Sequence, residues 1–317
     1  TPGLARLGLA AARRYAKIAP AAPHAQHMPS HIFVRLGLWN ETIASNWRSY
    51  RAGYEYAKAM GIPGTREEFH AMDYAVYAYL QRGQDSAARA AVARAMRAKP
   101  ELRGLISDYN RTAMAARIPL ERNDWAEAAE LRTPAESLGP VASALFHFTR
   151  AIGRARSGRA DAAGPEVNAL DSIATALERQ GEPYWSRVVR IKHDAAKSWV
   201  HWAAADTSGA LALARAAADS EEVTDKHQVT PGELLPAREL EGDMLLLAGH
   251  YAEARAAYEA TLARERNRAR SLFGRARAAE LAGDRDAAAA GYREFLGLMA
   301  GSDGKRPELA TAKALDK

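Results

Sequence analysis

The sequence predicts an all-α protein, an α-solenoid of about seven antiparallel helix pairs that form a superhelix with a concave groove. Two observations support this fold class. Alanine and arginine, which enter helices readily, dominate the 317 residues, and only 8% of them are aromatic. A pattern of small and aromatic residues also recurs at a fixed period near the C-terminus, as expected for stacked helical units.

The repeated unit is clearest in the last third of the chain, where three pairs of residues share one spacing. The two members of each pair lie 34 residues apart: Gly249 and Gly283, Ala254 and Ala288, and Tyr258 and Tyr292. The glycine permits a tight turn between two helices, and the alanine permits their close approach. Together with Gly242 and Phe295, these positions resemble the tetratricopeptide repeat family. The resemblance implies that the first helix of each unit lines the concave groove.

Shorter motifs divide the rest of the chain into less regular helix pairs. The helix after Trp39 is expected to extend to about Met60, before a loop at residues 61–64. Irregular units in a repeat array commonly contain an insertion or a specialised site. Turns between the two helices of a pair are predicted at residues 37–41, 83–88, 123–128, 158–163 and 206–209.

These patterns divide the chain into five segments. Residues 1–20 are predicted to be the second helix of a truncated or preceding repeat, and residues 21–100 to be irregular units with a histidine-rich groove face. Residues 101–222 are predicted to be degenerate helix pairs. Two regular units at residues 223–300 and a C-terminal capping segment at residues 301–317 complete the chain.

The first segment does not resemble the polar cap that normally ends a solenoid. Leu4, Leu7 and Ile18 are all apolar. We therefore expect the protein's own N-terminal repeat region, or another chain, to cover residues 1–20. The segment HMPSHIF at residues 27–33, with others further along, also resembles a group of bacterial tetratricopeptide proteins of unassigned function. That narrower resemblance covers most of the chain and implies a bacterial origin and a preceding repeat region, but no activity.

Three of the nine histidines lie in the ten residues HAQHMPSHIF, which begin at His24. If one helix begins near Ala22, His24, His27 and His31 fall within an arc of about 60° on one face. Pro29 would then lie inside that helix and kink it. If the helix begins at Pro29 instead, His24 and His27 lie in a loop.

A second set of polar residues is predicted on the first helix of the following repeat unit. This helix opens with Thr65 as cap and Glu68 three residues later. His70, Asp73 and Tyr77 share one face of this helix. The family resemblance puts that face beside the three histidines, and imidazole is the commonest ligand of transition metals. A divalent metal site, in a metal-dependent enzyme or a metal-binding protein, is therefore one hypothesis, with Asp73 or Glu68 as a base that could activate water. Its ligands would be His24, His27, His31, His70 and Asp73.

The main hypothesis is a binding scaffold without metal, the metal site is the alternative to it, and chance clustering of the histidines is a third. In a scaffold, the groove would bind a peptide, a partner protein or a small ligand through the same histidines and Tyr77. Lys226 and His227 would add an anion contact if a helix began near Thr230, and would lie in a loop between repeats otherwise. If that helix begins at Pro236 instead, the loop interpretation is favoured. Catalytic residues are not assigned.

Composition excludes several other kinds of site. The chain contains no cysteine, which excludes disulfides, zinc–thiolate sites and thiol nucleophiles. Its net charge is +6, but acids and bases alternate along the sequence, so nucleic-acid binding is not expected. No apolar run is long enough to span a bilayer. A cysteine-free chain of this kind fits a bacterial cytoplasm or periplasm equally well.

Overall fold

The computed structural model describes residues 2–64, 66–97, 104–132, 138–303 and 306–315. Within these ranges the protein is all-helical, as predicted, and contains no strand. Thr65, the predicted cap of the helix that carries His70, lies outside the described residues. No described helix combines the length and the apolar content that crossing a bilayer requires.

The helices of the first half of the chain are α1 (Pro2–Ile18), α2 (Pro23–His27), α3 (Pro29–Arg35), α4 (Trp39–Met60), α5 (Arg66–Gln81), α6 (Asp85–Met96), α7 (Leu105–Glu121), α8 (Trp125–Ala129) and α9 (Pro140–Arg156). After a short 3-10 turn at Ala160–Ala162 come α10 (Gly164–Arg179), α11 (Pro183–Ala203), α12 (Thr207–Glu222), α13 (Ala237–Leu247), α14 (Tyr251–Arg264), α15 (Ala269–Leu281), α16 (Arg285–Leu298) and α17 (Pro307–Leu315).

Helices pack mainly against their neighbours in sequence or against the next helix but one. From α9 onward, every helix contacts the next one along the chain, and earlier α5 contacts α4, α6 and α7. This order of packing is consistent with a helical repeat, in which each unit buries its apolar face against the adjacent units. The long α4 ends at Met60, as the sequence predicted.

The predicted turns adopt the backbone conformation that favours glycine. Gly37 has a φ of +66°, and a Cβ atom there would lie 2.4 Å from the carbonyl oxygen of Arg266. Gly83, Gly158, Gly249 and Gly283 also have positive φ at the corresponding turns. A side chain at position 37 would therefore be doubly unfavourable, through backbone strain and through a steric clash.

The C-terminal helices contact the turns of the N-terminal helix pairs. The indole nitrogen of Trp39 donates a hydrogen bond to the carbonyl oxygen of Asn267 at 2.9 Å, across 228 positions of sequence. The guanidinium of Arg306 contacts the carboxylate of Asp85, and both side chains are buried. Asn123 donates to a carboxylate oxygen of Glu308 at 2.7 Å. Contacts between distant units therefore supplement those between neighbours.

The segment between α12 and α13 crosses the faces of α5 and α7. The helix α13 begins at Ala237 after Pro236, so the alternative start near Thr230 is wrong. Residues 228–233 instead accept hydrogen bonds from α5 and α7: Tyr74 contacts the carbonyl oxygens of Gln228 and Thr230, and Arg117 donates to that of Gly232. This segment, residues 223–236, therefore covers the helix faces that were expected to line a groove.

The first helix leaves apolar side chains in solvent. Leu4, Leu7 and Ile18 are 68%, 82% and 78% exposed. The opposite side of α1 packs on α2 and α3, with Ala5 and Ala12 buried. Cover by a preceding repeat region or by another chain stays a prediction.

Candidate metal centre

Two short helices position the first two histidines of the site. The chain is helical from Pro23, as one interpretation predicted, but its helix is interrupted at Met28, where Pro29 has no N–H to donate. His27 is the last residue of α2, and His31 lies in the first turn of α3. The backbone of Met28 is itself in the right-handed helical region. The side chains of His27 and His31 therefore stay on the same side of the chain despite the interruption.

His70, from α5, completes a cluster of three imidazoles. The ring centre of His27 lies 4.8 Å from that of His31 and 4.4 Å from that of His70. One ring nitrogen from each of the three lies within 4.8 Å of the others. We call His27, His31 and His70 the histidine triad. Tyr74, one turn after His70 on the same face, contacts all three rings.

Asn46, on α4, fixes the hydrogen position on His27. Its side-chain nitrogen donates to the carbonyl oxygen of Thr42 at 2.8 Å, which leaves its side-chain oxygen to face Nδ1 of His27 at 2.7 Å. That oxygen can only accept, so Nδ1 of His27 carries the hydrogen. The Nε2 atom of His27 therefore presents a lone pair, and it points at Nε2 of His31, 3.0 Å away.

The ring hydrogen of His31 can lie on Nδ1 or on Nε2, and its position depends on the group to which the Tyr74 hydroxyl donates. The Tyr74 hydroxyl lies 3.1 Å from Nδ1 of His31 and 3.1 Å from the carbonyl oxygens of Gln228 and Thr230. If the hydroxyl donates to His31, then Nε2 of His31 donates to His27. If the hydroxyl donates to a backbone carbonyl, Nδ1 of His31 donates to Tyr74. The Nε2 lone pairs of His27 and His31 then face each other. The second arrangement requires a cation between them.

Burial keeps all three imidazoles neutral. It lowers the pKa of His27, His31 and His70 to about 3, and the mutual repulsion of their protonated forms adds to the effect. A hydrogen bond with Asn46 opposes the shift at His27, and one with Asn110 opposes it at His70. Neutral imidazole is the form that binds metal ions, so the triad is ready to bind one at neutral pH.

His24 and Asp73 do not join the triad, although both were predicted as ligands. His24 is exposed on the outer side of α2. Asp73 is fully buried and accepts a hydrogen bond from Arg117 at 2.8 Å. Among the described residues, the group of possible ligands contains only the three imidazoles, so Glu68 does not belong to it either. The regular arc had grouped His24 with the others, but of the two histidines of α2 only His27 is buried.

Tyr77 belongs to a different buried cluster, one made of arginines and carboxylates. Its hydroxyl donates to Glu265 at 2.9 Å and accepts from Arg268 at 3.0 Å. The members of this arginine–carboxylate cluster are Arg156, Arg268, Arg270, Glu121, Glu239 and Asp243. These six residues come from four helices and one loop, which explains why no local spacing in the sequence indicated the cluster.

Lys226 and His227 are adjacent in sequence but face different surroundings. The ring of His227 packs on Trp185 with the centres 4.8 Å apart, away from the triad. Lys226 donates to the carbonyl oxygen of Thr230 and lines a cleft of about 320 Å³ together with His31, Tyr74 and Arg35. The cleft gives access to one edge of the triad. Arg35 was missed by sequence reasoning, although it lies one helical turn after His31 on the same face.

A second cavity, of about 220 Å³, lies beside the arginine–carboxylate cluster. Trp125, Tyr258 and Phe273 contribute its apolar lining. Its charged side chains pair with one another: Asp243 contacts Arg270 at 2.7 Å and Arg156 at 3.0 Å. Since these charges are already compensated, we regard the histidine triad and its cleft as the better candidate site.

The comparisons with known proteins leave the family open. No protein-family model and no curated protein matches this sequence. The tetratricopeptide assignment therefore stays a prediction, and the function has to be argued from the residues themselves.

Proposed function

We propose that the protein binds a divalent transition metal ion through His27, His31 and His70. One observation carries the proposal: three neutral, largely buried imidazoles each bring a ring nitrogen within 4.8 Å of the other two. Burying three imidazoles together loses their hydration, and a metal ion that binds all three would compensate for that loss.

The distances within the triad suit such an ion. Two nitrogens bound at about 2.1 Å are about 3.0 Å apart at a right angle and about 3.4 Å apart at a tetrahedral angle. The two Nε2 atoms of His27 and His31 are already 3.0 Å apart. A ring nitrogen of His70 lies within 4.8 Å of the other two, so His70 would move closer on binding the ion.

Neighbouring residues provide the outer contacts that metal-bound histidines usually have. Histidine ligands generally donate their second ring N–H to an oxygen, which fixes the ring. Asn46 supplies that oxygen to His27, and Tyr74 supplies it to His31. With three protein ligands, a tetrahedral ion keeps one position for water or for a substrate, which is the pattern of catalytic rather than structural sites.

The scaffold hypothesis is less well supported by the geometry. The α5 face that carries Asp73 and Tyr77 packs against the chain's own residues 228–233 and 265–268, so this face offers a peptide little surface. Binding of a peptide or partner protein elsewhere on the helices stays a prediction.

A cobalt titration of tag-free protein tests the proposal, because Co²⁺ bound by imidazole has visible absorption that reports the coordination. We expect one Co²⁺ per chain, displaced by Zn²⁺. His31→Ala should abolish this binding, because two remaining imidazoles hold the ion far more weakly. His24→Ala is the matched control, since His24 lies in the same segment but is exposed, and it should bind normally.

Two results would overturn the proposal. The first is His31→Ala protein that binds Co²⁺ as tightly as the parent. The second is loss of binding in His24→Ala, which would place the ion on the exposed side of α2 and not in the triad.

A further inference from the structure

The cleft beside the triad contains two positive side chains that no carboxylate of the described chain pairs with. Arg35 and Lys226 line it together with His31 and Tyr74, and Leu4 and Ile32 form part of its apolar wall. A volume of about 320 Å³ is at the lower end of the roughly 300–1,000 Å³ of small-molecule sites.

Keeping the buried side chain of Lys226 protonated costs free energy. Burial, followed by repulsion from Arg35, lowers the pKa of Lys226 to about 8. Two carboxylates act on it from a distance, but each is already engaged: Glu265 accepts from Tyr77 at 2.9 Å, and Glu233 accepts from Lys192 at 2.6 Å. A bound anion would remove the repulsion between Lys226 and Arg35.

We propose that this cleft binds the oxyanion group, carboxylate or phosphate, of a small organic molecule between Arg35 and Lys226. The planar guanidinium of arginine donates two parallel hydrogen bonds to such a group, and lysine adds a point charge. The apolar wall contributed by Leu4 and Ile32 would contact the rest of the molecule.

The cleft also reaches the triad, since His31 and Tyr74 lie in its lining. An anion held there would lie beside His31, and we infer that it could occupy the coordination site that the protein leaves open. This second part rests on the proposed metal function, whereas the anion site itself does not.

Metal-free protein tests the anion site alone. Its unfolding midpoint is measured against sodium phosphate and, separately, sodium acetate, with chloride holding the ionic strength constant. We expect a saturable rise with at least one of the two anions. Arg35→Gln and Lys226→Gln should each weaken the apparent affinity by about tenfold or more. Arg35→Lys, which keeps the charge, should recover part of it.

Arg51→Gln is the matched control, because Arg51 is an exposed arginine on α4 that does not line the cleft. A response to phosphate alone assigns a phosphate group to the natural ligand, and a response to acetate alone assigns a carboxylate. No saturable response, or equal responses in the parent and both glutamine variants, would overturn the anion site.

Cobalt-loaded protein tests the position of the anion relative to the metal. Adding the responding anion should change the visible absorption of Co²⁺ in the parent but not in Lys226→Gln. If the spectrum stays constant while the metal-free protein responds, the anion lies away from the metal, and the second part is wrong. If Co²⁺ does not bind at all, the proposed metal function fails, and the metal-free titration still decides the anion site.

Discussion

The protein contains two buried polar clusters, and they differ in how their charges are satisfied. In the arginine–carboxylate cluster, the guanidinium of Arg268 contacts Glu239 at 2.7 Å and Glu121 at 2.8 Å, with all three side chains fully buried. In the part of the chain that the structure describes, no carboxylate joins the imidazoles of the histidine triad, and two ring nitrogens face each other at 3.0 Å. The three arginines of the first cluster are each paired with a carboxylate, and the second cluster would be completed by a cation.

This difference separates a structural role from a binding role. Although burial alone would raise the pKa of Glu239, Arg268 and Arg270 lower it to about 2, so the charges stabilise one another. Burial lowers the pKa of His27 to about 3, and the hydrogen bond with Asn46 opposes this effect only in part. Buried polar groups that remain poorly satisfied are the usual sign of a functional site.

The largest expected effect comes from breaking the arginine–carboxylate cluster. Glu239→Ala leaves Arg268 and Arg270 buried beside an empty position, and losing one partner of a buried ion pair costs about 3–5 kcal/mol. Urea unfolding measures the change in the free energy of unfolding. Arg255→Ala is the control, since its pair with Glu259 is exposed and contributes about 0.2–1 kcal/mol.

A loss below about 1 kcal/mol in Glu239→Ala would mean that water enters the cluster and replaces the carboxylate. The two clusters would then not differ in the way described.

An intermediate effect is expected when an outer contact of the triad is removed. Asn46→Ala deletes the oxygen that fixes the hydrogen on Nδ1 of His27, and such changes weaken metal binding about 10–100-fold, or about 1.4–2.7 kcal/mol. Competition with a chromophoric chelator measures the affinity. Asn40→Ala, at an exposed position of the same helix, should bind as the parent does. Unchanged affinity in Asn46→Ala would show that Asn46 does not select the hydrogen position on His27.

The last effect concerns acid stability without metal. Unfolded histidines take up protons near pH 6.5, whereas those of the folded triad stay neutral until about pH 3. The unfolded state therefore binds more protons in this window, and stability falls as the pH is lowered through it. Each histidine contributes a slope of up to about 1.4 kcal/mol per pH unit.

The variant His70→Asn isolates this contribution, because other titrating groups are common to both proteins. The free energy of unfolding of the parent, measured by urea at several pH values between 6.5 and 4, should fall more steeply than that of His70→Asn. His24→Asn should keep the slope of the parent, since His24 is exposed. Parallel slopes in the parent and His70→Asn would mean that His70 titrates normally in the folded protein.

Local sequence patterns predicted the helices well, since they depend on residues close together in the chain. The turn glycines, the end of α4 at Met60 and the helix start at Pro23 all followed from nearby residues. Within the site, His27, His31 and His70 could be grouped because helical periodicity placed them on two faces. Tyr74 follows the same periodicity from His70.

The remaining contacts depend on how distant segments meet, which periodicity does not encode. Asp73 lies one turn from His70, as expected for a ligand, yet Arg117 of another helix pairs with it. Asn46 contacts His27 from α4, a helix in which the sequence indicated no metal ligand. The segment that covers α5 comes from residues more than 150 positions later in the sequence, as the 154-residue separation of Tyr74 and Gln228 shows.

The contacts between the two ends of the chain bear on how the protein folds. In an open repeat array, each unit touches only its neighbours, so folding can begin at any unit and the ends can unravel separately. Here Trp39 bonds to the backbone of Asn267, and Arg306 bonds to Asp85 across 221 positions of sequence. Such distant contacts raise the contact order, which slows folding. They also couple α4 and α6 to the segments that precede α15 and α17, so we expect these helices to unfold together as one cooperative unit.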